Sequence, residues 1–568
     1  MRNRYRRAAA EYVAGKTGLE PSALPVSEPP AHASGHYAVG CFPASKSLGR
    51  NPGAIAKEVA AAFTPRDGLA SAAAAGPFVN FTVDPAILAS EVLGEVFGAG
   101  DRWGDGDSGS GRTVVIDYSA PNIAKPLAFH HIRSTMIGNA LVRLHRASGW
   151  TVVGINHLGD WGTTFGMVVA AWEKWAEAGE IPTVGRLNDL YVRFRKEAKA
   201  DPALGAEARA RFAALERGEE AARALWREFR RVSLVEYRQV YDMLGVTFDL
   251  EMGESEFEEY LQPTLDMLRS KGLVAESEGA EIVDLSADGM PPCILQKSDG
   301  ATLYATRDVA AALWRFEHHG FHRCLYVVDK GQALHFRQLF RVLELAGFPF
   351  ARDMEHVAFG QVRFGGRKQG SRSGGVISLR EVLEEAAAAI EERIAAKNPD
   401  LPDRKTVARQ VGVGAVVFAD LAPQREKDVE FDWDRMLSFE GDTGPYVQYA
   451  HARTASILRR APGGLPEPDP ALHLTLPEEG AVLRRIADFP DRVEKAMADA
   501  EPSHVASYLL DLCGTFSRWY DLGNRDPSLK VLTGDLHVTA ARLALVRAVE
   551  RTLARGLDLL GLAAPDEM

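Results

Sequence analysis

The stretch from Thr113 to Gly166, TVVIDYSAPNIAKPLAFHHIRSTMIGNALVRLHRASGWTVVGINHLGDWGTTFG, constrains the fold more than any other part of the chain. It opens with an apolar, β-branched run, Thr113 to Ile116, that reads as a buried parallel strand. A loop containing Pro121 and Pro126 follows, and neither proline fits a strand or helix interior. Met136, Ile137, Ala140, Leu141 and Leu144 then recur at helical spacing up to Gly149, and a second strand, Thr151 to Ile155, begins at once. This is a β-loop-α-β unit of the right-handed crossover type, with its loop at the carboxyl end of the first strand. The loop carries Asp117, Asn122, Lys125, His130 and His131, and the helix start carries Arg133, Ser134 and Thr135. Free N–H groups and a partial positive charge at a helix N-terminus make polyphosphate the natural guest. There is no GxGxxG and no GxxxxGK[ST], so the cradle must use imidazole and ammonium groups rather than a glycine nest.

Taken together, the run SAPNIAKP…HIRSTMIGNAL and the following INHLGDWGTTFG resemble the ATP-binding block of the class I aminoacyl-tRNA synthetases, specifically the arginyl-tRNA synthetase family. In that family a four-residue HIGH box stands where this chain has Ala128, Phe129, His130 and His131. Only the last histidine matches: the first is alanine, and the glycine that lets adenine lie against the backbone is His130. Lys125 and the HIRST tail are intact. The resemblance implies an ATP-binding set of Lys125, His131, Ser134, Gly159, Asp160 and His335, completed by Lys368.

A chain of 568 residues is too long for one core and suggests two to four domains. Hydrophobic content of 46% and charged content of 25% are those of an ordinary water-soluble globular protein. A net charge of −11 argues against a protein that coats nucleic acid, but leaves room for basic grooves on an acidic body. Cys41, Cys293, Cys324 and Cys513 lie far apart with no CxxC, so neither zinc nor a disulfide framework is expected. No apolar run reaches membrane-spanning length. The basic opening MRNRYRRAAAEYVAG lacks a signal-peptide core and reads as a first amphipathic helix, which places the chain in the cytoplasm.

Residues 1–105 read as a first, α+β unit, ending in the linker GDGDSGSGR at 104–112, whose composition offers little burial to order it. Within it, SGHYAVGCF and AGPFVNFTV read as short strands around helices such as Pro52 to Phe63. Both resemble the N-terminal appended domain of the arginyl enzymes, and Phe78 and Asn80 fall where that family offers an aromatic for stacking and an amide for a tRNA loop base. Without the resemblance, Phe78 is a core residue and Asn80 a turn residue. Beyond Gly166, a helix-rich, charge-rich span at about 167–290 reads as a solvated connective insertion. Its GVTFDLEMGESEF also resembles the family, with no catalytic role assigned.

The second half of the nucleotide fold returns with ATLYATRDVAAALWRF, which places Tyr304 and Asp308 on one helix face. A strand from Arg323 to Val328 leads into DKGQALHFRQLF, with Gln332 and His335 at its carboxyl end. A carboxylate accepts the forked N–H groups of a guanidinium while a phenol fixes its plane. The resemblance implies that Tyr304, Asp308 and Gln332 hold substrate arginine, with Asp117 and Asn122 from the first loop. An isolated Tyr–Asp pair would be surface decoration; the TRD and HFRQ context reverses that. The HHGFH run (His318, His319, His322) has metal-like spacing but ends a helix at Gly320, and no metal site is assigned. The glycine-broken basic loop FGGRKQGSRSGG stands where class I enzymes carry KMSKS: Lys368, Ser371 and Arg372 are retained and the second lysine is missing. The resemblance implies that Lys125 compensates and that activation needs tRNA present.

From about Asp428 the chain reads as helical, resembling the family's anticodon-binding bundle. Tyr446, Gln448, Tyr449, His451 and Arg453 mix the aromatic, amide and basic groups that stack on and read splayed bases, although their helical spacing would equally suit a half-buried face.

The expected architecture is α/β: a class I Rossmann-type parallel-sheet catalytic domain (112–425) with a helical insertion, an N-terminal α+β appended domain, and a C-terminal all-α anticodon-binding bundle (426–568). The activity implied is ATP-dependent ligation of L-arginine to tRNA(Arg) through an arginyl-adenylate, with release of AMP and pyrophosphate. ATP enters as its Mg2+ complex and no resident metal or organic cofactor is expected. Lys125, His130, His131, Lys368 and Arg372 would stabilise the phosphates. The partners are tRNA(Arg), arginine and ATP, without a membrane, acting on a monomer. A paralogue charging a small molecule and a non-catalytic RNA-binding relic are the competing readings; the C-terminal bundle opposes the first, and only the altered HIGH box favours the second.

Overall fold

A computed structural model describes residues 2–30, 33–297, 304–364 and 377–568. Near the N-terminus, helix α1 (Arg4–Thr17) starts at Asn3, whose side chain accepts from the N–H groups of Tyr5 and Arg6. Its Tyr5, Ala9 and Val13 are buried in a core shared with an antiparallel sheet of β1 (Val26–Ser27), β2 (Tyr37–Gly40), β3 (Leu69–Ala75) and β4 (Phe78–Val83), ordered β1-β2-β4-β3. The segment 104–112 is not a loose linker. Gly106 N–H donates to Ala147 O (2.6 Å) and Gly109 N–H to Ser148 O (2.8 Å), while a Cβ on Gly109 would meet the Trp150 ring. Small residues there permit close packing against a neighbouring helix end, which supplies the order that their own side chains cannot.

The central sheet begins with β5 (Thr113–Asp117), and the buried helix α2 (His131–Ala147) leads to β6 (Thr151–Leu158). Ile132, Met136, Ala140, Leu141 and Leu144 are completely buried, each large one stabilising the fold by about 1.5–3 kcal/mol relative to exposure. Gly138 is required by close approach, since a Cβ would lie 2.2 Å from Tyr118 Cβ. Helices follow, among them α3 (Val184–Glu197) and α4 (Glu220–Leu244), and then β7 (Leu250–Gly253), which pairs parallel with β6. The span read as pure insertion therefore returns a strand to the catalytic sheet. A small antiparallel sheet of β8 (Val274–Ser277), β9 (Ala280–Val283) and β10 (Cys293–Gln296) precedes α5 (Tyr304–His319), β11 (Arg323–Asp329), α6 (Ala333–Leu345) and β12 (Met354–Phe359). The five large-sheet strands are parallel and ordered β12-β11-β5-β6-β7.

Helix α7 (Arg404–Leu421) packs on α8 (Gly444–Arg459), with a Cβ on Gly444 only 2.6 Å from Gly414 O. At its other end the buried Asp420 lies 3.1 Å from Arg133 Nε of α2. Arg133 also donates to Lys427 O (2.9 Å) and Arg425 O (3.1 Å). The N-terminal unit is tied to helix α9 (Pro477–Ala498) by Asn3 and Arg6, both bonded to buried Asp488. No helix among the described residues is long and apolar enough to cross a membrane.

Candidate active site

The strand order reverses between β11 and β5, and in an open parallel sheet the crevice at the carboxyl ends of such strands receives the ligand. A cavity of about 460 Å³ opens there. It is lined by Ser119 and Ala120 beyond β5, His130, His131 and Arg133 at the start of α2, Asp329 after β11, and Gly360 and Gln361 after β12. That size and the helix N-terminus suit a nucleotide.

The loop leading to α2 is strained, with positive φ at Ser119 (71°), Ala120 (46°) and Ala124 (61°). Its surroundings hold it. Ser119 N–H donates to Ser134 Oγ (2.9 Å), Ala124 N–H to Ser233 Oγ (2.9 Å), and the Tyr237 hydroxyl lies 2.7 Å from both Asn122 O and Lys125 O. The Lys125 ammonium stands 4.7 Å from the Tyr191 ring centroid. His131 Nδ1–H donates to Ala128 O (3.0 Å), and burial, then the charges of His130 and Lys125, bring its pKa down to about 4. The free site thus holds His131 neutral near pH 7. The His130 and His131 rings are tilted together at 4.3 Å, and His130 is exposed on the cavity wall.

Three residues expected at ATP are engaged elsewhere. Ser134 is buried on the cavity wall with its hydroxyl donating to Val327 O (2.6 Å) while accepting from Ser119. Gly159 faces Asn122: its N–H donates to Pro121 O, its carbonyl accepts from Ile123, and a Cβ would lie 2.2 Å from Asn122 Oδ1. Asp160 is fully buried, accepting from Ser255 N–H (3.0 Å), Ser255 Oγ (2.9 Å) and Arg230 Nε (3.1 Å). These residues shape the loops around the cavity, and Ser134 lines it.

On the β6–β7 side, a second group of side chains gathers around the start of α5. Asp308 Oδ2 lies 2.6 Å from His335 Nε2, so His335 serves Asp308 rather than standing at the phosphates. Tyr304 is 65% exposed at the first position of the helix, under the electrostatic influence of Glu254 and Asp308. Glu254 was passed over in sequence. Burial, reinforced by Asp308 and Asp160 against the pull of Arg307, pushes its carboxyl up to about 8. The signal was present in GESEFEEY but hidden among other acids. Asp117 is buried with one oxygen on Arg315 Nη2 (2.7 Å), so it does not offer a free fork. Asn122 and Gln332 are exposed at the loop ends. Lys368, Ser371 and Arg372 lie outside the described residues.

Two surfaces farther away were read as tRNA contacts. Phe78 is half-buried, edge-on to Phe42 at 5.7 Å, and Phe42 is 55% exposed, a partner the sequence reading missed. Asn80 is buried, with Nδ2 donating to Ser34 O (2.8 Å), which removes it from reading a base. Gln448 is likewise buried, donating to Ala563 O (2.9 Å) and Gln410 O (3.3 Å). Tyr446, Tyr449 and Arg453 instead line a cavity of about 640 Å³ with Arg393, Lys397 and Phe439. The Arg453 guanidinium lies 4.9 Å from the Tyr449 ring centroid. Among the described residues, His318 stacks on Trp314 and His322 Nδ1 accepts from Thr113 N–H, so both are engaged within the fold.

The cleft, the strained histidine loop and the helical bundle together have known counterparts. Residues 99–433 match the family of "tRNA synthetases class I (R), catalytic domain", residues 447–568 the "DALR anticodon binding domain", and residues 3–83 the "Arginyl tRNA synthetase N terminal domain". The chain is 42% identical to the arginine–tRNA ligase of Clostridium beijerinckii over 568 residues, covering 99% of this chain and 100% of the relative. It is 42% identical to that of Alkaliphilus metalliredigens over 545 residues, 96% and 95% of the two chains. Its fold is similar to that of Thermus thermophilus arginyl-tRNA synthetase, with a TM-score of 0.85 at 30% identity over 99% of this chain and 100% of the other. With all its parts matched in order, from the N-terminal unit through the parallel sheet to the helical bundle, the chain belongs to the class I arginyl-tRNA synthetases.

Proposed function

We propose that this chain joins arginine to tRNA(Arg) by activating the amino acid at the crevice between β11 and β5. Arginine–tRNA ligation is the activity of its family. The observation that carries the site assignment is a nucleotide-sized cavity at the N-terminus of α2 together with the clustered carboxyls of Asp308 and Glu254 near Tyr304. Carboxylates flanked by a phenol suit a planar, forked cation.

MgATP occupies the cavity with its triphosphate toward His130, His131 and Lys125, and Lys368 and Arg372 stabilise the pyrophosphate charge. An α-carboxylate oxygen of arginine forms a bond to the α-phosphorus as the bond to pyrophosphate breaks. The 2′-hydroxyl of the terminal tRNA adenosine then attacks the arginyl carbonyl and releases AMP. Catalysis here is positioning and charge stabilisation, with no protein nucleophile. Asp308, Glu254 and Tyr304 hold the guanidinium, with Asn122 and Gln332 at the pocket's edge. Phe78 with Phe42, and Tyr446, Tyr449 and Arg453, are the tRNA surfaces. The enzyme works as a cytoplasmic monomer.

The test is pyrophosphate exchange with arginine, measured with and without tRNA(Arg), followed by aminoacylation. Exchange that needs both arginine and tRNA is expected. Exchange on arginine alone would overturn the tRNA requirement, and no exchange under any condition would overturn the assignment of the cleft.

A further inference from the structure

The ammonium of Lys125 has an aromatic neighbour that comes from the helical insertion rather than from the nucleotide fold. Its nitrogen stands 4.7 Å from the Tyr191 ring centroid on α3. No carboxylate among the described residues pairs with Lys125, while its charge acts on His131 in the cavity. The ammonium therefore faces an insertion ring while its charge reaches a histidine of the cavity wall. We infer that Tyr191 is a positioning residue for Lys125, holding its cation beside the triphosphate through the face of the ring.

The physics favours a ring here over a carboxylate. A carboxylate would hold the ammonium more tightly and cancel its charge, leaving less to stabilise phosphate. A ring face attracts a half-buried cation by about 1–2 kcal/mol and carries no net charge. The ammonium keeps its full charge, available to a triphosphate while the ring fixes its place. The ring is itself anchored, packing against a cluster of Ala124, Leu187 and Phe229 that joins the loop to the insertion. The same insertion grips the loop's backbone through Ser233 and Tyr237. Side chain and main chain of Lys125 are thus both set by helices that lie outside the nucleotide fold.

This inference rests on the assignment of Lys125 to the triphosphate, and the experiment separates the two. Steady-state aminoacylation and tRNA-dependent pyrophosphate exchange are measured for Tyr191→Leu, Tyr191→Phe, Lys125→Ala and the Tyr191→Leu/Lys125→Ala double variant of the full chain. Tyr191→Leu is expected to lower kcat about 5- to 30-fold with the arginine KM within about twofold. Tyr191→Phe keeps the ring face and is expected to stay within about threefold of the parent. In the Lys125→Ala background, Tyr191→Leu is expected to do no further damage, a cycle that also removes any general harm to folding. Equal loss in the Leu and Phe variants, full activity of the Leu variant, or the same factor lost with and without Lys125 would overturn the role of Tyr191. Full activity of Lys125→Ala would remove Lys125 from the triphosphate, and the inference with it.

Discussion

His335 Nε2 lies 2.6 Å from Asp308 Oδ2, so the carboxylate proposed to receive arginine already has a partner in the free protein. The hydrogen bond to Asp308 outweighs burial and holds the His335 pKa above its ordinary value. At acid pH the imidazolium competes with the substrate guanidinium for the same oxygens. Arginine KM is therefore expected to fall as pH rises through that raised pKa, by about tenfold per unit at the steepest, and then to level. For stability the sign is opposite: the pair contributes fully below the unfolded histidine pKa and is lost as pH rises through the folded one. His335→Gln should flatten the acid limb of the KM profile. A limb of unchanged steepness in that variant would place the titrating group elsewhere.

Glu254 offers a second proton-linked test. Its carboxyl, pushed up to about 8 by burial, is largely neutral at pH 7 in the free site. A guanidinium arriving beside it favours the ionised form, so arginine binding should release a proton. Titration calorimetry in two buffers of different ionisation enthalpy measures that release, and Glu254→Gln should reduce it by close to one proton while weakening arginine binding. Because the folded-state pKa is raised, its contribution to stability is full below the unfolded value and lost as pH climbs toward 8. Glu254→Gln should accordingly melt higher than the parent at pH 8 to 9. Unchanged proton release would remove Glu254 from the pocket.

What could be read in sequence followed from local rules. The spacing of Met136, Ile137, Ala140, Leu141 and Leu144 gave helix α2, and the β-branched run from Thr113 gave β5, because period and side-chain shape act within a few residues. Motif spacing likewise located the loop of Lys125, His130 and His131. Side-chain direction was not legible. Asn80, Gln448 and Asp160 carry chemistry suited to RNA or ATP, yet each turns inward to partners distant in the chain or on another element. Glu254 failed in the opposite sense: among Glu256, Glu258 and Glu259 it resembled a solvated acid until Tyr304 and Asp308 were brought beside it. The 104–112 segment looked unable to order itself, and its order comes from Ala147, Ser148 and Trp150.

The altered nucleotide box makes its own prediction. His130 is exposed on the cavity wall beside His131, standing where the resemblance places a glycine. If it donates to phosphate, His130→Ala lowers the activation rate by about 10²-fold, as loss of a preorganised donor does. His130→Gly should fall equally, since the loss is of the imidazole and not of space. Near-full exchange activity in both variants would take His130 out of the mechanism.

The buried contact of Arg133 with Asp420 joins α2 to α7, and its removal should be read in stability before activity. Asp420→Ala leaves a desolvated guanidinium without its counter-ion, a loss of about 3–5 kcal/mol in comparable buried pairs. Arg133 keeps its bonds to Lys427 O and Arg425 O, which places the expected loss at the lower end of that range. Urea unfolding followed by fluorescence measures it. A variant as stable as the parent would show that those two carbonyls suffice for Arg133.

Amino-acid choice gives the last prediction. Arginine differs from lysine in its planar fork and from citrulline in its charge, so a discriminating site must set a carboxylate against the fork. Asp308→Asn keeps the shape, removes the charge and one acceptor, and also frees His335 from its partner. Truncating one member of a desolvated charge pair costs about 2–5 kcal/mol, much of it the penalty on the cation left behind. At about 1.4 kcal/mol per decade, kcat/KM for arginine should fall roughly 30-fold to several thousand-fold. The exposed Tyr304 supplies a neutral hydrogen bond in a wetter position, and Tyr304→Phe should cost on the order of 1 kcal/mol or less. Neither residue lines the nucleotide cavity, so the ATP KM should hardly move in either variant. Aminoacylation is measured with arginine varied at saturating ATP, then with ATP varied at saturating arginine. A loss in Asp308→Asn that appears chiefly as weakened ATP binding would mean that the guanidinium pocket lies elsewhere.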